Sequence, residues 1–314
     1  MKLCVIGGAG ARSAFLTKSL VKSAREIRVD HIVLLDNNEE HLRTYGQISK
    51  ELARRMEPSL TFDITSDARG ALTGADYIIT TIRAGGDAGR LFDEKTCLAH
   101  GVLGQETTGA GGFAMAIRSV PTLVYYCTLA REVSNPGHLI FNFTNPSGII
   151  TQALRSCGFA NVYGICDAPS GFIKQLEEIL DVPYGALDIE CYGLNHLSWF
   201  RNAKLDGRDV QEELLNNPRT YQHSEMRLFT REMARLSGEC MLNEYLYFYY
   251  RREKSLSMVQ KAEHPRGEMI YLINRELETQ LAQMELPRDF EKAFNLYMNA
   301  YGKRENAYFS VESG

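Results

Sequence analysis

The chain has 314 residues, of which 44% are hydrophobic and 24% charged, so it is long enough for about two domains with sizeable cores. Its 35 Lys and Arg residues against 39 Asp and Glu residues give a net charge of −4, which argues against a nucleic-acid partner bound through a basic surface. No stretch approaches about 18 uninterrupted apolar residues and the seven cysteines lack paired spacing, so we expect a cytoplasmic protein with neither a membrane partner nor a disulfide framework.

The first half of the chain alternates short apolar runs with segments of helical spacing. The apolar runs are residues 3–6, 31–35, 77–82, 138–143 and 162–165. Unbroken apolar runs are typical of buried parallel strands, and strands that alternate with helices form βαβ units. The pattern predicts an α/β fold with a doubly wound parallel sheet.

From about residue 170 the pattern changes. Two strand-like stretches, at 187–194 and 199–205, are followed by a largely helical segment rich in Tyr, Met, Arg and Glu. This mixture predicts a second lobe of the α+β class. We therefore divide the chain into two domains, residues 1–170 and residues 171–314; the motifs described next lead us to expect NAD binding in the first domain and substrate and metal binding in the second.

The first apolar run ends in a glycine-rich loop that precedes a helical segment. Small residues in such a loop let backbone N–H groups approach a pyrophosphate at the N-terminus of the helix. Asp36 closes the second run, where a carboxylate would contact the ribose diol of NAD and repel the 2′-phosphate of NADP. The alternative is an ordinary tight turn with Asp36 as a helix cap. We expect a Rossmann-like domain whose NAD contacts are Gly7, Gly8, Gly10, Ala11, Arg12, Asp36 and Arg83.

Polar segments follow the later apolar runs, where open α/β sheets bind ligands. These segments are residues 82–90, 104–112, 142–148, 166–169 and, a little further on, 193–196. Cys166 and His196 could hold a divalent ion with positions left open for substrate oxygens, although their spacing matches no closed zinc motif. Each residue taken alone is also compatible with a purely structural role.

A tyrosine-rich segment, residues 245–250, places four tyrosines in six positions. An aromatic core stripe on a helix would have the same composition. The charges beside it, and Arg266 further along the chain, favour instead the wall of a cleft, in which a tyrosine acts as a base and an arginine holds an anion.

Together these motifs resemble glycoside hydrolase family 4, the NAD- and metal-dependent glycosidases, and within it the 6-phospho-glucosidases. The resemblance extends from residue 6 to residue 308. Its most specific motifs are Gly104–Gly112 (GQETTGAGG), Asn145-Pro146, Cys166–Pro169, Gly193–His196 (GLNH) and Tyr245–Tyr250. It implies a Rossmann-like domain similar to that of lactate and malate dehydrogenases, with NAD and Mn²⁺ as cofactors.

The resemblance also implies a role for each matching residue. Cys166 and His196 are implied as the Mn²⁺ ligands, Tyr245 as the catalytic base and Asp167 as the acid. The implied substrate-binding residues are Arg90, Glu106, Asn145, Asn195 and Arg266. In the implied reaction C3 of the sugar is oxidised by NAD⁺, the C2 proton is removed, the aglycone leaves from C1, water adds and C3 is reduced again, a route outside the usual pair of carboxylates.

The implied substrate is a phosphorylated disaccharide or glucoside, and we expect a homo-oligomer, either a dimer or a tetramer. Asp167 is typical of α-specific relatives, whereas the surrounding motifs are more similar to the 6-phospho-β-glucosidase branch, and we expect the β anomer. Family members usually continue beyond this chain, so we expect a shortened version. Two alternatives stay open: an NAD-dependent 2-hydroxyacid dehydrogenase of the lactate/malate type, and a non-catalytic NAD-binding protein.

Overall fold

The structure is a computed structural model that describes the backbone of residues 1–312 and the side chains of residues 1–304. These residues form two compact units. The first unit comprises Met1–Ile165 and Ala262–Glu312, and the second comprises Cys166–Lys261.

The first unit is built on a six-stranded parallel sheet with helices on both faces. Its strands are β1 (Lys2–Ile6), β2 (His31–Leu35), β3 (Thr61–Thr65), β4 (Tyr77–Thr80), β5 (Leu139–Asn142) and β6 (Val162–Gly164). Its helices before the second unit are α1 (Ser13–Ser23), α2 (Glu39–His41), α3 (Gln47–Met56), α4 (Ala68–Leu72), α5 (Gly86–Ala99), α6 (Gly109–Val133) and α7 (Ser147–Ser156). The strand order β3-β2-β1-β4-β5-β6 confirms the predicted doubly wound α/β fold, whose ligand-binding crevice lies where the order reverses, between β1 and β4.

Both faces of this sheet are buried. Within β1, Cys4 and Ile6 face a core formed with α4, α6 and α7, whereas Leu3 and Val5 face the core formed with α1 and α3. Burial on both faces is the reason why the strands read as unbroken apolar runs. Strand β3 was not predicted, because it lies at the sheet edge and its sequence TFDIT buries only Phe62.

Helix α6 is, among the described residues, the one helix long and apolar enough by length and composition to cross a membrane. A core helix of a globular unit has the same features. Leu123 and Cys127 of α6 are buried in the core against the sheet, and Arg118 forms an ion pair with Asp93 of α5. Because of these contacts, we describe α6 as a core helix of the first unit.

The second unit contains a small antiparallel sheet and short helices. Its strands are β7 (Leu187–Leu194), β8 (Leu197–Leu205), β9 (Arg208–Asp209) and β10 (Met241–Leu242). Its helices are α8 (Ala168–Leu180), α9 (Gln211–Asn216), α10 (Thr220–His223), α11 (Arg231–Leu236), α12 (Tyr247–Tyr250) and α13 (Arg252–Lys261), with 3-10 turns at Glu225–Leu228 and Glu244–Leu246. Strands and helices share one apolar core around Phe172 and Phe200, which confirms the predicted α+β lobe.

The end of the chain returns to the first unit as α14 (Arg266–Leu281) and α15 (Phe290–Glu312). Leu281 and Tyr297 are buried against Tyr45 and Ile48 of the first unit, and Tyr297 Oη donates a hydrogen bond to the carbonyl oxygen of Ala11. The structure therefore differs from the predicted division at residues 170 and 171–314, because these apolar helix faces are buried in the first unit. The family resemblance extends to residue 308, but the side chains from residue 305 onward lie outside those that the structure describes.

Candidate active site

The glycine-rich loop joins β1 to α1 in the first unit. Gly7 has a positive φ of 79°, and a Cβ there would lie 2.8 Å from the carbonyl oxygen of Thr81, so a larger residue would clash. Helix α1 begins at Ser13 with neither an acidic residue in its first turn nor a side-chain cap. Its positive N-terminal end, which residues 10–12 precede directly, therefore fits a pyrophosphate.

Asp36 connects the end of β2 to this loop. One carboxylate oxygen accepts a hydrogen bond from the Ala9 N–H at 3.2 Å, and the other accepts from the Asn38 N–H at 3.0 Å. Burial raises the pKa of Asp36 above its ordinary value, although these hydrogen bonds oppose the shift. The cap of α2 is Asn38, whose side chain accepts from the backbone of Glu40 and His41. Asp36 is therefore not the helix cap, and its position fits a ribose contact.

A network of arginines and carboxylates lies in the same unit. Arg90 is only 3% exposed, and its guanidinium lies 2.6 Å from Glu94 and 2.6 Å from Glu106. Arg83 reaches the other oxygen of Glu106 at 3.0 Å and Asp87 at 3.3 Å. Three of the predicted residues are thus brought together: Arg83 from the loop between β4 and α5, Arg90 from α5 and Glu106 from the loop before α6.

Glu106 is surrounded by positive charge. Burial alone would raise the pKa of its carboxyl, but the charges of Arg83, Arg90, Arg266 and Arg12 hold that pKa well below its ordinary range. Glu106 therefore stays ionised at neutral pH. The guanidinium groups of Arg83, Arg90, Arg266 and Arg12 thus gather around one carboxylate, and guanidinium groups are well suited to bind a phosphate.

Glu94 is a member of this network that the sequence analysis missed. Besides pairing with Arg90, its carboxylate accepts a hydrogen bond from the Gly267 N–H at 2.8 Å, which fixes the start of α14 next to Arg266. The available signal was the i, i+4 spacing of Arg90 and Glu94 on one helix, a spacing that brings opposite charges together.

Asn145 follows β5 in the first unit, before the cis peptide bond to Pro146. The loop around it is shaped by the buried Asn142, whose side chain accepts a hydrogen bond from the Thr80 hydroxyl at 2.8 Å and donates to the Thr151 hydroxyl oxygen at 3.1 Å. Asn142 therefore serves the structure of the loop, while the half-buried Asn145 stays a predicted substrate contact.

In the second unit Cys166 and His196 lie side by side. The Cys166 Sγ is 3.5 Å from the His196 Nε2 and 4.0 Å from a carboxylate oxygen of Asp167. Cys166 and Asp167 precede α8 directly, whereas His196 comes from the turn between β7 and β8. Two residues thirty positions apart in sequence are thus brought into contact, as expected of a shared site.

The turn that carries His196 is specified by the GLNH motif. Leu194 pairs with Leu197, so Asn195 and His196 form a two-residue turn in which His196 has a φ of 59°. A Cβ at Gly193 would lie 2.4 Å from the carbonyl oxygen of Leu197, so the approach of the two strands requires glycine. The half-buried Asn195 lies in this turn beside His196.

Tyr245 completes this group of side chains. It is 9% exposed, and its ring stacks on the imidazole of His196, with centroids 3.8 Å apart and an interplanar angle of 4°. Tyr245 lies in the 3-10 turn Glu244–Leu246, and its own backbone N–H donates a hydrogen bond to the side-chain oxygen of Asn243, which caps the turn. The structure thus assembles Cys166, His196 and Tyr245 in one place.

The pair of Cys166 and His196 fits a divalent metal ion. Sulfur and nitrogen ligands of one ion, at about 2.3 and 2.1 Å, lie about 3.1–3.6 Å apart for octahedral to tetrahedral angles, and the observed separation is 3.5 Å. Among the described residues no group of three or more His, Cys, Asp and Glu side chains could hold a metal. A bound ion would therefore keep positions open for oxygen ligands, as a catalytic site requires.

Two family models match the chain. The model described as Family 4 glycosyl hydrolase matches residues 2–182, and the model of the Family 4 glycosyl hydrolase C-terminal domain matches residues 191–311. Together they cover both units.

Curated relatives and solved structures give a consistent picture. The 6-phospho-beta-glucosidase BglT of Thermotoga maritima is 30% identical over 93% of this chain and 69% of its own length. The phospho-alpha-glucosidase PagL of Clostridium acetobutylicum is 32% identical over 79% of this chain and 59% of its own length. A solved structure of the Thermotoga maritima enzyme with manganese, NAD⁺ and glucose-6-phosphate aligns with a TM-score of 0.80 and 30% identity, over 97% of this chain and 72% of that one.

The likeness to dehydrogenases concerns the fold alone. A malate dehydrogenase of Salinibacter ruber aligns with a TM-score of 0.51 at 16% identity, over 84% of this chain and 77% of that chain. This match confirms the predicted similarity to the lactate/malate dehydrogenase fold, but it carries no argument for the 2-hydroxyacid dehydrogenase alternative.

Proposed function

The chain belongs to family 4 of the glycosyl hydrolases, and from this premise we propose that it hydrolyses 6-phospho-glucosides with NAD and Mn²⁺ as cofactors. The observation that carries the proposal is the contact of Cys166 with His196 at 3.5 Å, with Tyr245 stacked on the imidazole. A thiolate, an imidazole and a phenol are what a metal-assisted proton abstraction needs. The relatives are named as a 6-phospho-beta-glucosidase and a phospho-alpha-glucosidase, and these names support the substrate class.

The roles of the side chains follow from their chemistry. When bound, NAD⁺ supplies a temporary oxidant for C3 of the sugar and Mn²⁺ a Lewis acid for its hydroxyl oxygens. Tyr245 removes the proton from C2, which is acidic while C3 is a ketone. Asp167 protonates the leaving oxygen as the bond at C1 breaks. Water then adds at C1, a proton returns to C2 and C3 is reduced again, so the net reaction is hydrolysis.

The first unit supplies the groups for the cofactor and for the phosphate. We assign Gly7, Gly8, Gly10, Ala11, Arg12, Asp36 and Arg83 to NAD. We assign Arg90, Glu106, Asn145, Asn195 and Arg266 to the substrate. The arginines gathered around Glu106 support a phosphate, because paired guanidinium groups bind its oxygens through several hydrogen bonds.

For the anomer we propose β. The relative BglT, which matches 93% of the chain, is a 6-phospho-beta-glucosidase and supports this choice, whereas the phospho-alpha-glucosidase PagL matches 79% of the chain. Both anomers therefore belong in the assay.

We further propose a homo-oligomer, a dimer or tetramer, in the cytoplasm. Phe92, Phe113 and Ile117 on α5 and α6 are 70%, 60% and 57% exposed, and apolar side chains that exposed favour burial against a second copy. All seven cysteines are free thiols, which suits a reducing compartment. A purely monomeric protein in analytical ultracentrifugation would contradict the assembly.

The proposed activity is tested by incubating the protein with NAD⁺, Mn²⁺, a reductant and nitrophenyl 6-phospho-glucoside of either anomer. We expect release of nitrophenol from the β substrate, no net accumulation of NADH, and loss of turnover in Cys166→Ser. The control is Cys157→Ser, which changes an exposed thiol of the first unit and should leave turnover intact. No turnover with either anomer would contradict the function and favour a non-catalytic NAD-binding protein.

A further inference from the structure

A buried carboxyl that the proposed reaction does not use lies beneath the turn that carries Tyr245. Glu225 begins the 3-10 turn Glu225–Leu228 and is 6% exposed. Burying a carboxyl is costly unless its oxygens are hydrogen-bonded. The hydrogen bonds of Glu225 therefore show which part of the structure this buried carboxyl supports.

Glu225 holds the two residues that precede Tyr245. Its Oε2 accepts hydrogen bonds from the Glu244 N–H at 2.8 Å and from the Asn243 Nδ2 at 3.2 Å. The side-chain oxygen of Asn243 in turn accepts from the Tyr245 N–H at 3.2 Å. A continuous chain of hydrogen bonds thus runs from the carboxyl to the backbone of the tyrosine.

Both ends of this chain are anchored in the second unit. The Glu225 N–H donates to the Gln175 Oε1 on α8 at 2.9 Å, and the Asn243 N–H donates to the Ser198 carbonyl oxygen on β8 at 3.2 Å. Strand β8 begins directly after the turn that carries His196. Glu225 therefore fixes the backbone of Tyr245 relative to the strand that follows His196, the residue on which the tyrosine ring stacks.

We infer that Glu225 is a positioning residue for Tyr245, holding the phenol at the place where it removes the C2 proton. This inference rests on the proposed function, since it concerns the same proton transfer. It differs from a general structural role in one respect: loss of Glu225 displaces Tyr245, while the contact of Cys166 with His196 remains.

The protonation of Glu225 fits this role. Burial, and after it the charge of Glu244, raises the pKa of Glu225 to about 8, while the hydrogen bond from the Glu244 N–H and the charge of Arg227 oppose the shift. The thiol of Cys191 also faces Glu225, and burial raises the pKa of this thiol. At neutral pH the carboxyl is thus mostly uncharged, and it accepts its hydrogen bonds without placing a full charge in the interior of the unit.

The structure offers a matched control for the test. Glu177 on α8 is 1% exposed, and its carboxylate accepts hydrogen bonds from the Gly185 and Leu187 N–H groups at 2.8 and 3.0 Å. Glu177 is thus a second buried carboxyl that holds backbone in the same unit, but its hydrogen bonds go to Gly185 and Leu187 and not to the turn of Tyr245.

The experiment compares Glu225→Ala, Glu225→Gln and Glu177→Ala by kcat, KM and the isotope effect of a C2-deuterated 6-phospho-glucoside. We expect Glu225→Ala to lower kcat about 10- to 100-fold and to raise the isotope effect, because a displaced base slows proton transfer, with KM changed less than about threefold. Glu225→Gln should retain kcat at pH 7, since the amide oxygen accepts the same bonds. Glu177→Ala should keep both kcat and the isotope effect.

Equal losses in Glu225→Ala and Glu177→Ala, or equal losses in Glu225→Gln and Glu225→Ala, would overturn the inference. If Glu225→Ala does not fold, Glu225→Asp takes its place, since it shortens the side chain by one methylene. A wild type without turnover would contradict the proposed function instead. The inference would then be decided by crystal structures of the two alanine variants, in which the Tyr245 ring should leave His196 only when Glu225 is replaced.

Discussion

Removal of the Glu106 charge by Glu106→Gln should destabilise the first unit. The carboxylate of Glu106 lies 2.6 Å from the guanidinium of Arg90 and 3.0 Å from that of Arg83. Arg90 is only 3% exposed. Breaking one partner of a buried ion pair costs about 3–5 kcal/mol, because the remaining charge loses its counterion. Arg90 keeps Glu94, and the glutamine oxygen still accepts one hydrogen bond from a guanidinium, so we expect a net loss of about 2–3 kcal/mol.

The pH dependence of this loss gives a second check on the same variant. Because the pKa of Glu106 is lowered in the folded state, its stabilisation is present above the unfolded-state value of about 4.3 and is lost as the pH falls through the folded-state value. The difference between wild type and Glu106→Gln should therefore be largest near pH 7 and shrink below pH 4.

The assay is urea unfolding followed by circular dichroism. Glu132→Gln is the control, since Glu132 pairs with Arg69 at 2.9 Å on the surface, where both side chains are more than half exposed, and exposed pairs contribute about 0–1 kcal/mol. A loss in Glu106→Gln no larger than in Glu132→Gln, or a loss that does not change with pH, would refute the reasoning that the arginine network is a buried electrostatic unit.

Three further predictions concern the site and its buried carboxyls. Tyr245→Phe should lower kcat at least about 100-fold while leaving the rise in melting temperature on adding Mn²⁺ unchanged, since Cys166 and His196 stay in place; loss of that rise would contradict separate roles. Asp36→Asn should reduce the preference for NAD over NADP about tenfold or more in fluorescence titrations, because the carboxylate that repels a 2′-phosphate is gone; an unchanged ratio would contradict the assignment. Glu225→Gln should be more stable than the wild type at pH 8 but not at pH 4, because the raised pKa of Glu225 makes folding less favourable as the pH rises from the unfolded-state value of about 4.3; a constant difference in urea midpoint would contradict this.

Much of the first unit was predictable because its signals are local. Strands that are buried on both faces have unbroken apolar sequences, and the glycine-rich loop predicts the turn between β1 and α1. Strand β3 lacks this signal, since an edge strand with polar residues in TFDIT reads like a loop. The return of α14 and α15 to the first unit depends on packing against Tyr45 and Ile48, and no local pattern announces contacts so distant in sequence.

The candidate site shows the same division between local and tertiary information. Residues such as Cys166, His196 and Tyr245 stood out because their motifs are specific to a family. Glu225 carries no such motif, and its hydrogen bonds reach Asn243 and Glu244, eighteen and nineteen positions further along the chain. A positioning residue of this kind is recognised only when the fold brings it under the turn that it supports.

The most direct test of the account is hydrolysis in D₂O followed by NMR of the released hexose phosphate. Removal of the C2 proton by Tyr245, followed by its return from solvent, predicts deuterium at C2 of the product after each turnover. A product that is formed at a normal rate but carries only protium at C2 would mean that the C2–H bond is never broken. This result would contradict the proposed mechanism at its central step.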